Sequence, residues 1–330
     1  MIPAKPAPAR TGLRIFLTGA SGFLGGRIAR LLQTQGHAVL ALARSAAAVQ
    51  AVRAMQCTAV PGDLEDIDTV DLHGIDVVVH AAAPVVFWGP WSLYQQQIVD
   101  ASLALYRHAA AQGVRRFVFI SSESVLQGDS DLLDIDARHP FADPPNSFYG
   151  QAKKAAEKAL GFALRQTPAC ELVILRPTFI WAPDAPAVAQ IKHRMRQGQF
   201  VWIDGGRRPF EAVHVENVAR AVLAALTRGR SGAAYLVTDG RPYTARQLIG
   251  TLVRQGPDAV VPPRWSLPAG LVRPLANTLD RLWRALGRWH SAPPVSAFDA
   301  AFLGQSRRYD IRATLAELDY RPAAVDPQRP

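Results

Sequence analysis

The chain has 330 residues, 49% hydrophobic and 19% charged, with a formal net charge of +10 at pH 7. That balance suits a globular protein with one large core and a smaller satellite domain, and no run of 18 uncharged apolar residues suggests a transmembrane helix. The positive charge is mostly scattered arginine without a nucleic-acid motif, so no nucleic-acid partner is expected. Cys57 and Cys170 form no CxxC pair, which excludes a disulfide framework and a zinc site, and no metal is expected.

In chain order, "MIPAKPAPARTGLR" is rich in Pro and Ala and has no apolar stretch, so residues 1–12 are expected to be a disordered lead rather than a secretion signal. A cytoplasmic location follows. Six apolar runs, at 13–19, 37–44, 58–64, 76–83, 115–122 and 170–177, read as strands separated mostly by helix-length segments. Continuous Val/Ile/Leu runs in that alternation predict parallel strands covered on both faces. The fold class is therefore α/β, a Rossmann-type doubly wound parallel sheet with a smaller, mainly C-terminal substrate domain. Residues 13–178 and 210–240 are assigned to the dinucleotide-binding domain, and 179–209 and 241–330 to the substrate domain.

The first strand runs into "TGASGFLGGRIARLL", where Gly19, Gly22 and Gly25 precede an amphipathic helix. Glycines at this spacing allow a tight turn, close approach to a pyrophosphate and close helix–strand packing, while the helix N-terminus offers N–H groups to phosphate. Gly19, Ser21, Gly22, Phe23, Leu24 and Gly25 are thus candidate cofactor contacts. The second strand ends in Ala43 and Arg44 where an NAD site usually has an acidic residue. An arginine there favours a 2′-phosphate, hence NADP(H) over NAD(H). Further candidates are Asp63 and Leu64 in "GDL", and Ala81, Ala82 and Ala83 in "HAAAP".

Two further stretches bring chemistry. "NSFYGQAKKAAEKAL" is a helix start, with Asn146 or Ser147 as cap, and it puts Lys153 on the same face as Tyr149. An ammonium beside a phenol favours phenolate, which predicts a Tyr149 pKa lowered towards neutrality. Upstream, "FISSESV" ends a strand with Ser121, Ser122 and Ser124, and a serine hydroxyl there is available to the same substrate oxygen.

Taken in order, TGASGFLG, GDL, HAAA, SSESV, YGQAK and RPTFIWAP resemble the extended short-chain dehydrogenase/reductases, within the NAD-dependent epimerase/dehydratase superfamily. The resemblance implies that Ser122, Tyr149 and Lys153 are catalytic. Tyr149 would be the acid/base, and Lys153 would bond the nicotinamide ribose and lower the tyrosine pKa. Pro177, Thr178 and Phe179 would border the nicotinamide. It implies hydride transfer between nicotinamide and a carbonyl or carbinol carbon, and a homodimer built on main-domain helices.

Aromatic residues point to a small hydrophobic substrate: Phe87, Trp88 and Trp91 after the fourth strand, and Phe179 and Trp181; Val85 and His214, where the chain returns to the main domain, are further substrate candidates. Arg194, Arg196, Arg207 and Arg208 keep a sugar-nucleotide diphosphate open. In residues 271–289, Leu271, Leu275, Leu279, Leu282, Trp283, Leu286 and Trp289 share one helical face, Arg273, Arg281, Arg284 and Arg288 lie opposite, and Pro274 suits a first turn. Such a helix either lies peripherally on the inner face of a membrane or packs its apolar stripe on the substrate domain. The C-terminal part is most similar to the branch of 3β-hydroxysteroid dehydrogenases, sterol-carboxylate dehydrogenases and 2-alkyl-3-oxoalkanoate reductases. The expectation is an NADP(H)-dependent oxidoreductase of a hydrophobic 3-oxo/3-hydroxy compound, steroid-like or 3-oxoacyl. The alternatives are a sugar-nucleotide epimerase/dehydratase holding NAD tightly and a non-enzymatic dinucleotide sensor.

Overall fold

The computed structural model describes residues 12–84 and 88–328. The first five strands, β1 (Arg14–Thr18), β2 (Ala38–Ala43), β3 (Thr58–Pro61), β4 (Val77–His80) and β5 (Arg116–Ile120), lie in one sheet. The chain leaves it for β6 (Leu132–Ile135), returns in β7 (Glu171–Pro177), and leaves again for β8 (Phe179–Trp181), β9 (Trp202–Ile203) and β10 (Pro209–His214). Strand β11 (Ala234–Val237) completes the sheet, all parallel, in the order β11-β7-β5-β4-β1-β2-β3. The order reverses direction at β1 and β4, so the crevice beyond their C-terminal ends is the natural ligand site of a doubly wound sheet.

The reason for two-sided cover is visible in the strands. Ile15, Leu17, Val77 and Val79 join one core and Phe16, Val78, Phe117 and Phe119 the other, because successive side chains point to opposite faces. Helices α1 (Phe23–Thr34) and α2 (Ala46–Ala54) contribute Ile28, Leu32 and Val52 to the first core. Helix α3 (Trp91–Tyr94), a π-helical turn over Gln95–Asp100, α4 (Ala101–Ala111) and α5 (Phe148–Gln166) serve the second.

A smaller unit stands over the C-terminal strand ends. Its sheet runs β12-β10-β14-β6, with β12 (Pro242–Thr244), β14 (Arg307–Tyr309), and β8 paired along β10; β9 pairs with β13 (Ser266–Leu267). Helices α6 (Pro186–Arg196), α8 (Ala245–Leu252), α9 (Ala269–Ala285) and α10 (Ala297–Gly304) enclose a third core around Trp181, Trp202, Phe210 and Leu248. Helix α7 (Val215–Ala225) and α11 (Arg312–Glu317) go back to the main domain.

The partition departs from the expected boundaries. Residues 210–214 and 132–135 belong to the second sheet, although both fall inside segments assigned to the main domain, and the end of the chain returns to the main core through Leu318 and Tyr320. A short strand carries no mark of which sheet it will join; partners far away in sequence decide it. The expected disordered lead lies almost wholly outside the described residues. Helix α9 starts two residues before the predicted segment and ends at Ala285, leaving Pro274 inside the helix rather than in its first turn.

Candidate active site

The turn after β1 is shaped by its glycines. Gly19 has φ +81°, and a Cβ there would meet the backbone of Ala81 and Ala82 at 2.9 and 2.8 Å. At Gly25 a Cβ would lie 2.0 Å from the carbonyl oxygen of Gly19, so only glycine lets α1 approach the strand so closely. Gly22 caps α1 with no side chain, leaving the first-turn N–H groups directed out of the helix end, and no acidic residue stands in that turn. Such a cradle fits a pyrophosphate.

Beside it, β1 and β4 are fastened together. His80 Nδ1 lies 2.7 Å from Thr18 Oγ1 and Nε2 3.0 Å from Ser102 Oγ. Ser102 donates to Ile98 O and Thr18 Oγ1 accepts from Ala82 N. One tautomer satisfies all of these: His80 donates through Nε2 and accepts at Nδ1. Burial pushes its pKa down to about 3, with the charge of Lys153 adding to the effect, so the ring stays neutral and the Ala81–Ala83 backbone is held in place.

The catalytic candidates meet at the end of β5. Ser147 caps α5, its hydroxyl accepting from Gly150 N at 3.1 Å, so Tyr149 falls in the first turn with Lys153 one turn further on. Both are buried, and the Ser122 hydroxyl hydrogen-bonds the Tyr149 phenol. Lys153 Nζ donates to Ile120 O at 2.7 Å and lies 5.9 Å from the centre of the Tyr149 ring. Burial dominates the titration. It pushes Tyr149 up to about 12 against the pull of Ser122, and Lys153 down to about 7 against the pull of Glu157. The phenol is thus raised above its ordinary value rather than lowered towards neutrality as expected: burial raises it, and the hydrogen bond from Ser122 is the influence that opposes.

Behind these residues lies a layer the sequence reading missed. Glu157, one turn beyond Lys153, accepts from Ser121 Oγ at 2.5 Å and from Arg176 at 3.0 and 2.6 Å, and Arg176 also reaches Ala137 O. Glu157 and Arg176 are both buried. The pair fixes the residue preceding Ser122 to the helix bearing Tyr149; the spacing 149, 153, 157 was its available signal.

A cavity of about 720 Å³ joins the glycine turn to this cluster. Its lining takes in Gly19, Ser21, Gly22, Phe23, Leu24 and Gly25, then Arg44, Asp63 and Leu64, Ala81, Ala82 and Ala83, and finally Ser122, Tyr149, Lys153, Pro177, Thr178 and Phe179. Arg44 is exposed on the lining and has no ion pair among the described residues. Shape, anion-binding helix end and polar rim fit a dinucleotide lying from Arg44 to Tyr149.

These features agree with what the chain is related to. Residues 15–238 match the NAD dependent epimerase/dehydratase family. The chain belongs to this family. A relative in Stigmatella aurantiaca, 4-hydroxy-2-methyl-3-oxo-4-farnesyl-3,4-dihydroquinoline-1-oxide ketoreductase, is 34% identical over 86% of this chain and 84% of its own. The 2-alkyl-3-oxoalkanoate reductase of Stenotrophomonas maltophilia is 29% identical over 94% and 95%. Among solved structures, UDP-glucose 4-epimerase of Thermotoga maritima superposes with a TM-score of 0.67 at 20% identity, covering 96% of both chains; that likeness is one of fold. As an extended short-chain dehydrogenase/reductase, the protein is an NAD(P)-dependent enzyme.

The substrate end of this family member differs from expectation. Val85 and Phe87 lie outside the described residues. Trp181 is fully buried, its indole donating to Asp239 at 2.8 Å and its ring set edge-on to His214 at 4.7 Å. His214 caps α7 and donates its backbone N–H to Asp239. The β8–β10 register places the two opposite each other, Trp181 in the core and His214 half-buried beside it, and neither lines the cavity. Trp88 donates to Arg288 O and Trp91 packs on Phe148, both outside the cavity lining. The wall is made instead by Ile180, Ile191, Phe298 and Phe302, with Gln96 and Gln97 from the π-helical turn. Of the four arginines considered for a diphosphate, Arg194 alone lines the cavity, and its guanidinium is paired to Asp299 at 2.9 and 3.2 Å.

Proposed function

We propose that the enzyme is an NADP(H)-dependent ketoreductase of an uncharged, hydrophobic 3-oxo compound. The observation that carries this reading is the contrast within one cavity. Ser122 and Tyr149 stand at its polar end, while the far wall is Phe179, Phe298 and Phe302 and its arginine is already neutralised by Asp299. A diphosphate or a free carboxylate placed there would compete with Asp299 for Arg194 and meet the like charge of Asp299. A neutral apolar ketone would not.

When bound, the nicotinamide supplies the hydride. The chain's residues supply the proton and the geometry. A phenol held near 12 keeps its proton across the neutral range, which suits Tyr149 to protonate the developing alkoxide, while Ser122 donates a hydrogen bond to the same oxygen. Lys153, anchored on Ile120 O, holds the helix end and ring in place. The relative named as a ketoreductase of a farnesyl-bearing compound supports the reductive direction and an apolar ligand. Arg44 supports NADP(H), since no acidic side chain occupies its position at the strand end.

The test is oxidation of NADPH and NADH with a panel of neutral ketones, 3-oxo acids and UDP-sugars. Turnover of neutral ketones with NADPH preferred is expected, and Tyr149→Phe should lower it by at least ~10²-fold. UDP-sugar interconversion by protein that purifies with NAD⁺ would establish the epimerase reading instead, and equal use of NADH would remove the role given to Arg44.

A further inference from the structure

Helix α9 is amphipathic with its apolar face outward. The face against the protein carries Ala269, Val272, Ala276 and Asp280. Two arginines of the predicted polar side also turn inward. Arg273 donates to Gly304 O, and Arg284 lies 3.8 Å over the Phe148 ring with Asp280 at 3.7 Å. Leu271, Leu275, Leu282 and Leu286 are 68%, 55%, 47% and 57% exposed, and at 100° per residue they share a stripe about 60° wide. Just before the helix, Trp265 and Leu267 are also exposed. A patch of this kind on a helix is an interaction surface rather than a stray apolar residue.

Charge says what covers it. From 259 to 298 the segment holds five arginines and one carboxylate, Asp280, which is buried. Arg264, Arg281 and Arg288 are exposed and have no ion pair among the described residues. A second copy of the chain would bring these arginines against their own kind, in a protein of net charge +10. An anionic bilayer instead takes both features, leucines and tryptophan into the acyl boundary and arginines at the headgroups.

We propose that the outer face of α9, with Trp265 and Leu267, docks on an anionic lipid bilayer. The inner face braces the substrate end of the cavity. It packs on α10, which bears Phe298 and Phe302; Arg284 covers Phe148, the neighbour of Tyr149; and Arg288 O accepts from Trp88. Docking therefore sets that end of the cavity at the membrane surface, where an apolar ligand of the class proposed above is concentrated; this last step rests on that reading.

The test is co-sedimentation with vesicles of phosphatidylglycerol and phosphatidylcholine, and with phosphatidylcholine alone. The wild type should bind the anionic vesicles preferentially, more weakly at high salt. L271S/L275S/L282S/L286S should bind at least ~10-fold more weakly while its thermal midpoint does not fall. R264Q/R281Q/R288Q should lose the preference for anionic over neutral vesicles. Wild-type protein left in the supernatant, or a leucine variant that sediments like wild type, overturns the proposal. So does a wild-type dimer that the leucine variant splits, which assigns the face to a second copy. None of these readings uses a substrate, so a failed ketone panel and a failed docking experiment remain distinguishable.

Discussion

Burial of Lys153 ties stability to pH. An unfolded lysine keeps its proton to near pH ~10.4, whereas here the proton is lost near 7. Between those values the unfolded chain binds more protons, so stability rises with pH across the window. The cost of burying the charge is complete below about pH 7 and gone above ~10.4. Lys153→Met removes that cost. The variant's thermal midpoint should exceed that of wild type most at pH 6, with the advantage shrinking towards pH 10; loss of the bond to Ile120 shifts the difference without giving it this slope. A midpoint difference that is flat with pH would sink the argument. Glu157 makes the complementary case. Replacing it by Gln leaves the buried Arg176 guanidinium without its charge partner, and equilibrium unfolding should show a loss of about 3–5 kcal/mol.

At the scale of elements, the turn from β1 into α1 is held by sterics. A methyl group at Gly25 would sit 2.0 Å from Gly19 O, so Gly25→Ala must push the helix end from the strand. Dinucleotide affinity should fall by at least ~10-fold, measured by fluorescence titration with NADPH, while the fold persists. Unchanged affinity would show that the helix end does not cradle the pyrophosphate. This turn was legible because its glycines have local work to do, and so was the helix start, where Ser147, Tyr149 and Lys153 follow one another within two turns. The substrate wall was not. Phe298 and Phe302 lie about 150 residues beyond Tyr149, on a helix whose pattern says only that it is apolar. Trp181 misled for a similar reason: an aromatic beside the cofactor strand reads as a cavity wall, and only the β8–β10 register and the carboxylate of Asp239 show it to be core. Helix α9 was legible as amphipathic, but which face turns outward depends on neighbours that periodicity does not reveal.

At the scale of the whole molecule, the two units are interlocked by the C-terminal segment. After α10 the chain enters the small sheet as β14, between β10 and β6, where buried Tyr309 donates to Glu123, the residue following Ser122. It then crosses to the main domain. Thr314 donates to Leu236 O at 2.8 Å, Tyr320 donates to Thr238 O at 3.0 Å, and Leu318 and Tyr320 are buried in the same core as β1 and β7. Cutting the chain after Gln305 would therefore open both units together. It removes the strand joining β10 to β6, exposes the apolar side of β11, and leaves Glu123 without Tyr309 at the cavity wall. Burial of Leu318 and Tyr320 alone contributes several kcal/mol, of the same order as a domain's net stability of ~5–15 kcal/mol. The 1–305 fragment should fail to give a cooperative thermal transition in calorimetry and should not bind NADPH, although every glycine of the β1–α1 turn and all of Ser122, Tyr149 and Lys153 are retained. A fragment that melts cooperatively and binds the nucleotide would show that the main domain is complete without its C-terminal return.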